Sequence, residues 1–142
     1  MKKAIATALM AAMMTVGTVG ASFAAGLGTI DMAALLQKHP NYPKAMAQWR
    51  SDVEKAQKDF QDQVKKEKDP KAQQELAQKF NVQLNKQRIE LFTPLEKDIL
   101  EKTKAVKQEK GLDYVVLNGS VVDGQGQDIT NDVAAWCQNL YD

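Results

Sequence analysis

The chain has no glycine from residue 29 to residue 110, and only four prolines interrupt that stretch. Glycine and proline are the residues that most often end regular structure, so this stretch favours long helices. Ala, Gln, Glu, Lys and Leu predominate in it, and its apolar residues are too sparse to build a globular core. The sequence Lys68-Asp69-Pro70 divides it in two. We therefore predict two long helices that pack as an antiparallel hairpin and are largely exposed to solvent.

The apolar residues of both predicted helices recur at intervals of three, four and seven residues. This spacing places them in one narrow stripe on each helix, which is typical of two helices that pack along a seam. We expect the first helix to run from about Lys44 to Lys68, with Pro43 at its first position, where the missing N–H of proline costs nothing. The stripes are Met46, Trp49, Val53, Phe60 and Val64, then Leu76, Phe80, Leu84, Leu91 and Leu95.

Pro94 is expected to end the paired part of the hairpin, residues 44–93. A proline inside a helix removes a hydrogen bond and clashes with the preceding turn, at a cost of about 3 kcal/mol. Residues 95–110 carry a broader apolar face, and we predict that they dock as a helix on a compact body. Gly111 should stop that helix. The docking face consists of Leu95, Ile99, Leu100, Thr103 and Val106.

The compact body should comprise residues 25–42 and 111–142. Short runs of β-branched and aromatic residues, bounded by turn residues, predict short strands and a β-hairpin. A short helix is expected at Ala33–Lys38, and a last helix capped by Thr130 or Asn131, with Val133, Trp136, Cys137 and Leu140 on one face. The strands are placed at Leu27–Met32, Tyr114–Leu117 and Val121–Val122, the last two joined by the turn Asn118–Ser120.

So small a body is weak on its own. About 50 residues with short strands make a marginal core, and open strand edges invite pairing. We therefore predict an α+β fold in which a small β body carries the inserted helical hairpin and is completed by joining other copies of the chain. An obligate homo-oligomer follows from the weakness of the monomer.

The first 24 residues have the pattern of a cleavable signal peptide. Lys2 and Lys3 precede an uncharged stretch, residues 4–19, and Ser22-Phe23-Ala24 offers small residues at the two positions that a signal peptidase reads. An uncleaved membrane anchor is the alternative, but the stretch is short for a spanning helix of about 20 apolar residues. We expect cleavage after Ala24, export, and a single mature domain of residues 25–142.

The mature chain would be almost neutral, with 17 basic and 18 acidic residues and a net charge of −1. Residues 111–142 hold five aspartates and no lysine or arginine, so the acidic charge lies in the C-terminal part. This balance gives no indication of a nucleic-acid partner. Cys137 is the single cysteine, which excludes an intramolecular disulfide; a buried thiol is expected rather than a bridge between chains.

Residues that could carry out catalysis are scarce. His39 is the single histidine, and because it precedes Pro40 it is interpreted as a polar residue at a helix end rather than as part of a Ser-His-Asp site. No Gly-Lys dipeptide occurs, so the phosphate-binding loop of ATPases is excluded. The sequence from Asp123 to Asp128 contains GxGxD, but one copy favours a turn over a calcium site. We predict no enzyme activity, no cofactor and no metal.

The order of these segments resembles the Skp (OmpH-like) periplasmic chaperone family over the mature chain. The resemblance implies a homotrimer in the periplasm whose helical tentacles surround a cavity and hold unfolded outer-membrane proteins without ATP. The alternative is a structural or adaptor coiled-coil protein of the cell envelope that binds one folded partner. The segments that carry the resemblance are Gly28–Met32, His39–Tyr42, Phe92–Ile99, Glu109–Leu117 and Asp128–Val133, after a signal peptide.

Two groups of side chains are candidates for contacts. Phe60, Val64 and Phe80 lie towards the tip of the predicted hairpin, where the seam is sparse and exposed. Phe60 and Phe80 are interpreted first as packing residues of the seam, and secondly, with Val64, as contacts to an unfolded client. The lysines at the tip are interpreted first as solvated residues, and secondly as contacts to lipopolysaccharide or anionic lipid. They are Lys65, Lys66, Lys68 and Lys71.

Overall fold

A computed structural model describes residues 26–139, so the predicted signal peptide and Leu140 lie outside the described part. The described chain is mainly helical with a small sheet, which confirms the prediction of a mixed helix and strand fold. Its elements in chain order are β1 (Leu27–Ile30), α1 (Met32–Lys38), α2 (Tyr42–Lys66), α3 (Pro70–Glu109), β2 (Tyr114–Leu117), β3 (Gln127–Asp128) and α4 (Thr130–Asn139).

The two long helices, α2 and α3, are separated by a short connection with its own hydrogen bonds. α2 begins and ends two residues before the predicted limits of Lys44 and Lys68. Asp69 caps α3, because its carboxylate accepts the backbone N–H of Lys71 at 3.1 Å. The side-chain amide of Gln73 donates to the carbonyl oxygen of Glu67 at 2.8 Å. These bonds satisfy backbone groups that a helix terminus leaves without partners.

α3 continues through Pro94 as one unbroken helix. Proline removes one hydrogen bond of the helix, but Pro94 is exposed and the carbonyl group that loses its partner can be hydrated. Burial just beyond it compensates: Leu95, Ile99, Thr103 and Val106 are buried, as the docking face predicted. Leu100 was assigned to that face and is instead exposed.

The sheet has the strand order β2-β1-β3, and both pairs are parallel. The predicted β-hairpin is therefore wrong: residues 121–122 form no strand, and Val122 is 99% exposed. After β2 the chain instead crosses to the other edge of β1, where β3 pairs and Ile129 donates its N–H to Thr29 O at 2.9 Å. The crossing buries the Ile129 side chain completely, which a hairpin on β2 would not do.

The hydrophobic core lies in the body, among β1, α1, the C-terminal part of α3 and α4. Its largest fully buried side chains include Leu35, Ile99, Val106, Ile129 and Val133. By contrast, the buried residues of α2 are two alanines. The stable centre of the described chain is therefore the body, whereas α2 and most of α3 are held by a thin contact.

Residues next to two helices of the body determine where α3 ends and where α4 begins. Gly111 follows the last turn of α3 with φ 64°, a conformation that favours glycine, and thereby stops the helix as predicted. α4 begins at Thr130, so the predicted caps, Thr130 and Asn131, lie inside it. The carboxylate of Asp128 takes the capping role and accepts both the backbone N–H and the hydroxyl of Thr130.

Candidate functional site

The main candidate site is an apolar cleft between α2 and α3. Its volume is about 320 Å³. The rings of Phe60 on α2 and Phe80 on α3 meet edge to face in it, with centroids 5.6 Å apart. Ala56 and Ala77 leave the space, because their short side chains do not fill the gap between the helices. The apolar lining is Val53, Ala56, Phe60, Ala77, Phe80 and Leu84.

Two further clefts follow along α2, each sharing lining residues with the one before it. Val53 also lines a second cleft of about 300 Å³, and Met46 and Trp49 line both the second cleft and a third of about 320 Å³. The third lies beside Tyr42 on α2 and Phe92 on α3, whose ring centroids are 6.1 Å apart. We call the three together the apolar groove. Since Phe60 and Tyr42 are 18 residues apart on α2, the groove is roughly 27 Å long at 1.5 Å per helical residue.

The other side of the Phe80 ring faces a polar cleft of about 220 Å³. Asp52, Lys55 and Asp59 from α2 and Lys79 from α3 line it. Gln87 also contributes, and its side-chain oxygen is buried without a hydrogen-bond partner. The two sides of the contact between α2 and α3 thus differ in chemistry, and the apolar side is the one suited to apolar ligands.

The other predicted contact residues lie near the connection between α2 and α3. Val64 is half-buried one turn beyond Phe60, at the end of α2, where its carbonyl oxygen accepts the N–H of Glu67 at 3.3 Å. Phe60 and Phe80 are brought together, while Val64 is not among the residues that line the apolar groove. Four exposed lysines surround the connection: Lys65, Lys66, Lys68 and Lys71.

A second cluster, in the body, was not predicted. His39 ends α1 as expected, but its ring is buried and its Nε2 lies 3.1 Å from Oδ2 of Asp98. Oδ1 of Asp98 lies 3.1 Å from Nζ of Lys102. Burial raises the pKa of Asp98, but the hydrogen bonds and charges of Lys102 and His39 outweigh it, so the pKa is lower than usual. The i, i+4 spacing of Asp98 and Lys102 was a signal in the sequence; their contact with His39 was not.

Cys137 is buried on α4, as predicted. Burial raises the pKa of its thiol, the negative charge of Asp98 raises it further, and Lys102 partly opposes both. Its thiol is therefore kept in the protonated, weakly nucleophilic form.

Two kinds of feature, a metal-binding cluster and a membrane-spanning helix, are absent from the described residues. Residues 26–139 hold no cluster of His, Cys, Asp or Glu side chains arranged to bind a metal ion. No helix in the same range is long and apolar enough to span a membrane. In comparisons with known proteins, no family model and no curated protein matches the chain.

Proposed function

We propose that this protein is an ATP-independent holdase of the Skp type, which binds unfolded outer-membrane proteins in the periplasm and prevents their aggregation. The observation that carries the proposal is the apolar groove. It exposes half-buried aromatic and aliphatic side chains along helices whose other exposed residues are mainly charged and amide side chains. Apolar side chains gathered in an open cleft between polar helices favour a binding site.

The groove requires that α2 and α3 pack as an antiparallel hairpin, the predicted tentacle. Two ring contacts support this arrangement: Tyr42 near the start of α2 meets Phe92, and Phe60 further along α2 meets Phe80. Partners on α3 thus occur in reverse order along the chain, as antiparallel packing requires. The tentacle extends from the body, which holds the core.

The groove suits an unfolded membrane barrel protein better than a compact partner. A transmembrane β-strand has about 10 residues with alternating apolar side chains, and extends roughly 33 Å. The groove is of comparable length. Rings and aliphatic side chains in a shallow, open cleft give weak contacts that many apolar sequences can satisfy. Such contacts shield a client from aggregation without specifying its fold, and they need neither nucleotide nor catalytic residue.

A homotrimer is proposed because the body presents an unsatisfied strand edge. β2 pairs with β1 on one side, and its other edge is open within the described chain. Tyr114 and Leu117 of this strand expose large apolar side chains. Other copies that cover this edge would bury those side chains and supply the missing partners.

The lysines at the connection, Lys65, Lys66, Lys68 and Lys71, form a separate part of the proposal. All are exposed, and together they can attract the phosphates of lipopolysaccharide or anionic lipid. Replacing all four by glutamine should reduce binding to vesicles that contain anionic lipid. Holdase activity in solution should stay unchanged.

The holdase proposal is tested by diluting a urea-unfolded porin into buffer with the mature protein and recording light scattering. The parent should suppress aggregation at stoichiometric trimer. The double variant Phe60→Gln/Phe80→Gln should require several-fold more protein, because amides replace the rings of the groove. Phe60→Leu/Phe80→Leu keeps the groove apolar and should act like the parent, as should Val82→Gln, a change at an exposed side chain outside the groove.

Two results would contradict the proposal at different points. A parent protein that leaves the porin to aggregate excludes the holdase function, and a specific complex with one folded envelope protein would then favour the adaptor alternative. A glutamine double variant that protects as well as the parent would instead exclude the groove as the binding site. Circular dichroism of each variant checks that the helices are retained.

A further inference from the structure

His39 connects two structural elements through both nitrogens of its ring. Nδ1 accepts the backbone N–H of Asn41 at 3.1 Å, in the turn that precedes α2. Nε2 faces Oδ2 of Asp98 on α3 at 3.1 Å. A nitrogen that accepts a hydrogen bond carries no proton, so this geometry assigns the neutral tautomer with the proton on Nε2. The side chain is 1% exposed.

The two contacts of the His39 ring differ in the protonation states of the ring that they allow. Asp98 is a carboxylate shared with Lys102, and it can accept from a neutral or a protonated imidazole. The N–H of Asn41 is a donor and needs an acceptor at Nδ1. The charged groups beside the ring are Asp98, which contacts Nε2, and Lys102, which contacts Asp98. Cys137 on α4 lies close enough to both for their charges to act on its thiol.

We propose that His39 is a pH-responsive joint at the base of α2, in which uptake of a second proton releases the turn between α1 and α2 while the ring stays bound to Asp98. The proton comes from solvent and binds Nδ1. Two N–H groups then face each other, and the bond to Asn41 is lost. The bond from Nε2 to Asp98 becomes a charged hydrogen bond and is strengthened.

The released turn determines where α2 leaves the body. Tyr42 donates its N–H to His39 O at 2.9 Å, and Ala45 donates to Asn41 O at 3.0 Å, so the first turn of α2 is built directly on these two residues. Loss of the bond between the His39 ring and Asn41 therefore loosens the base of α2. α3 is unaffected, since its C-terminal part is packed in the core.

The experiment is an NMR titration of the mature protein, which has a single histidine, so its ring signals are unambiguous. At pH 8 the ring ¹⁵N shifts should identify Nε2 as the protonated nitrogen. As the pH is lowered from 8 to 5, the exchange protection of the Asn41 amide, corrected for intrinsic exchange, should fall about tenfold in step with the ring ¹⁵N shifts, the effect of losing one hydrogen bond. Protection at Ile99 in α3 should stay constant.

His39→Gln is the matched variant, because an amide offers one acceptor and one donor and does not titrate in this range. Its Asn41 protection should vary less than twofold over the same range. Three results would each overturn the proposal. The ring could be protonated on Nδ1 at pH 8, it could stay neutral down to pH 5, or the exchange protection of Asn41 could stay constant while the ring becomes protonated. The titration of the parent decides even if the glutamine variant does not fold.

Discussion

Two ion pairs on α3 have the same i, i+4 spacing but different surroundings. The side chains of Asp98 and Lys102 are 24% and 13% exposed, whereas those of Lys86 and Glu90 are 76% and 64% exposed. Exposed pairs contribute little, because water screens the attraction and two long side chains must be ordered. A half-buried pair matters more, since removal of one partner leaves the other charge poorly solvated.

Asp98→Asn should therefore lower the free energy of unfolding at pH 7 by about 1–3 kcal/mol. The amide still contacts His39 and Lys102 but no longer carries the charge that balances Lys102. Urea denaturation followed by circular dichroism measures the change. Glu90→Gln is the matched control and should change it by less than about 0.5 kcal/mol. Equal effects of the two substitutions would show that burial of the Asp98 pair has no energetic consequence.

Acid should remove the contribution of Asp98. Its pKa in the folded protein lies below the ordinary value of 3.8. A carboxylate with a lowered pKa stabilises the fold fully above its unfolded pKa and loses that contribution as the pH falls through the folded pKa. The difference in stability between the parent and Asp98→Asn should therefore shrink as the pH falls below 3.8. A difference that persists undiminished in stronger acid would contradict this assignment.

At the scale of the element, α3 has two parts that pack against different partners. Up to Phe92 it contacts α2, and from Leu95 onwards it is buried in the body. Pro94 lies between them in an unbroken helix, at an exposed position. The residue at this position therefore costs a backbone hydrogen bond without contributing to the core.

Pro94→Ala should raise the free energy of unfolding by about 1–2 kcal/mol. Alanine restores the N–H that bonds to the carbonyl of Glu90, and this gain exceeds the loss of the rigidity that proline gives the unfolded chain. Thermal and urea denaturation measure the change. Lys97→Ala, a nearby exposed control, should stay within about 0.5 kcal/mol of the parent. A destabilised Pro94→Ala variant would mean that the packing of α3 depends on a bend at the proline.

Buried and exposed positions of α3 should also differ in their tolerance to substitution. Ile99 is fully buried in the core, whereas Ile89 on the same helix is half exposed. Ile99→Ala should lower the free energy of unfolding by about 2–5 kcal/mol through lost burial and a cavity, and Ile89→Ala by less than about 1 kcal/mol. Denaturation curves of the two variants give the comparison. Similar losses at both sites would place Ile89 in a contact that the described chain does not contain.

At the scale of the whole molecule, the sequence predicted the long helices, the position of the core and β1 and β2, because periodicity and glycine placement are local signals. The sequence did not predict the features that depend on contacts between residues far apart in the chain. Val121–Val122 has strong strand propensity, yet the exposed residues Gln127–Asp128 pair with β1 because the crossing buries Ile129. The contact of His39 with Asp98 spans 59 residues and could not be read from spacing. Phe60 and Phe80 contact each other because both lie on the apolar stripes of the two helices.

The open edge of β2 tests the proposed assembly. Tyr114 donates its N–H to Gly26, just before β1, and Asn118 donates to Ile30 in β1, so by alternation the N–H of Leu117 points to the outer edge. Leu117→Pro removes a donor from that edge and leaves the pairing with β1 in place. Sedimentation velocity at several concentrations should show a trimer for the parent and smaller species for Leu117→Pro.

Val122→Pro is the matched control, since Val122 is also an exposed aliphatic residue but lies outside the strands. It should sediment like the parent. A parent that is a folded monomer at all concentrations would exclude the trimer. A Leu117→Pro variant that remains trimeric would show that the subunits do not contact each other through the edge of β2. Because the body is small, loss of the trimer should also lower the unfolding temperature, which depends on protein concentration as long as the folded state is a trimer.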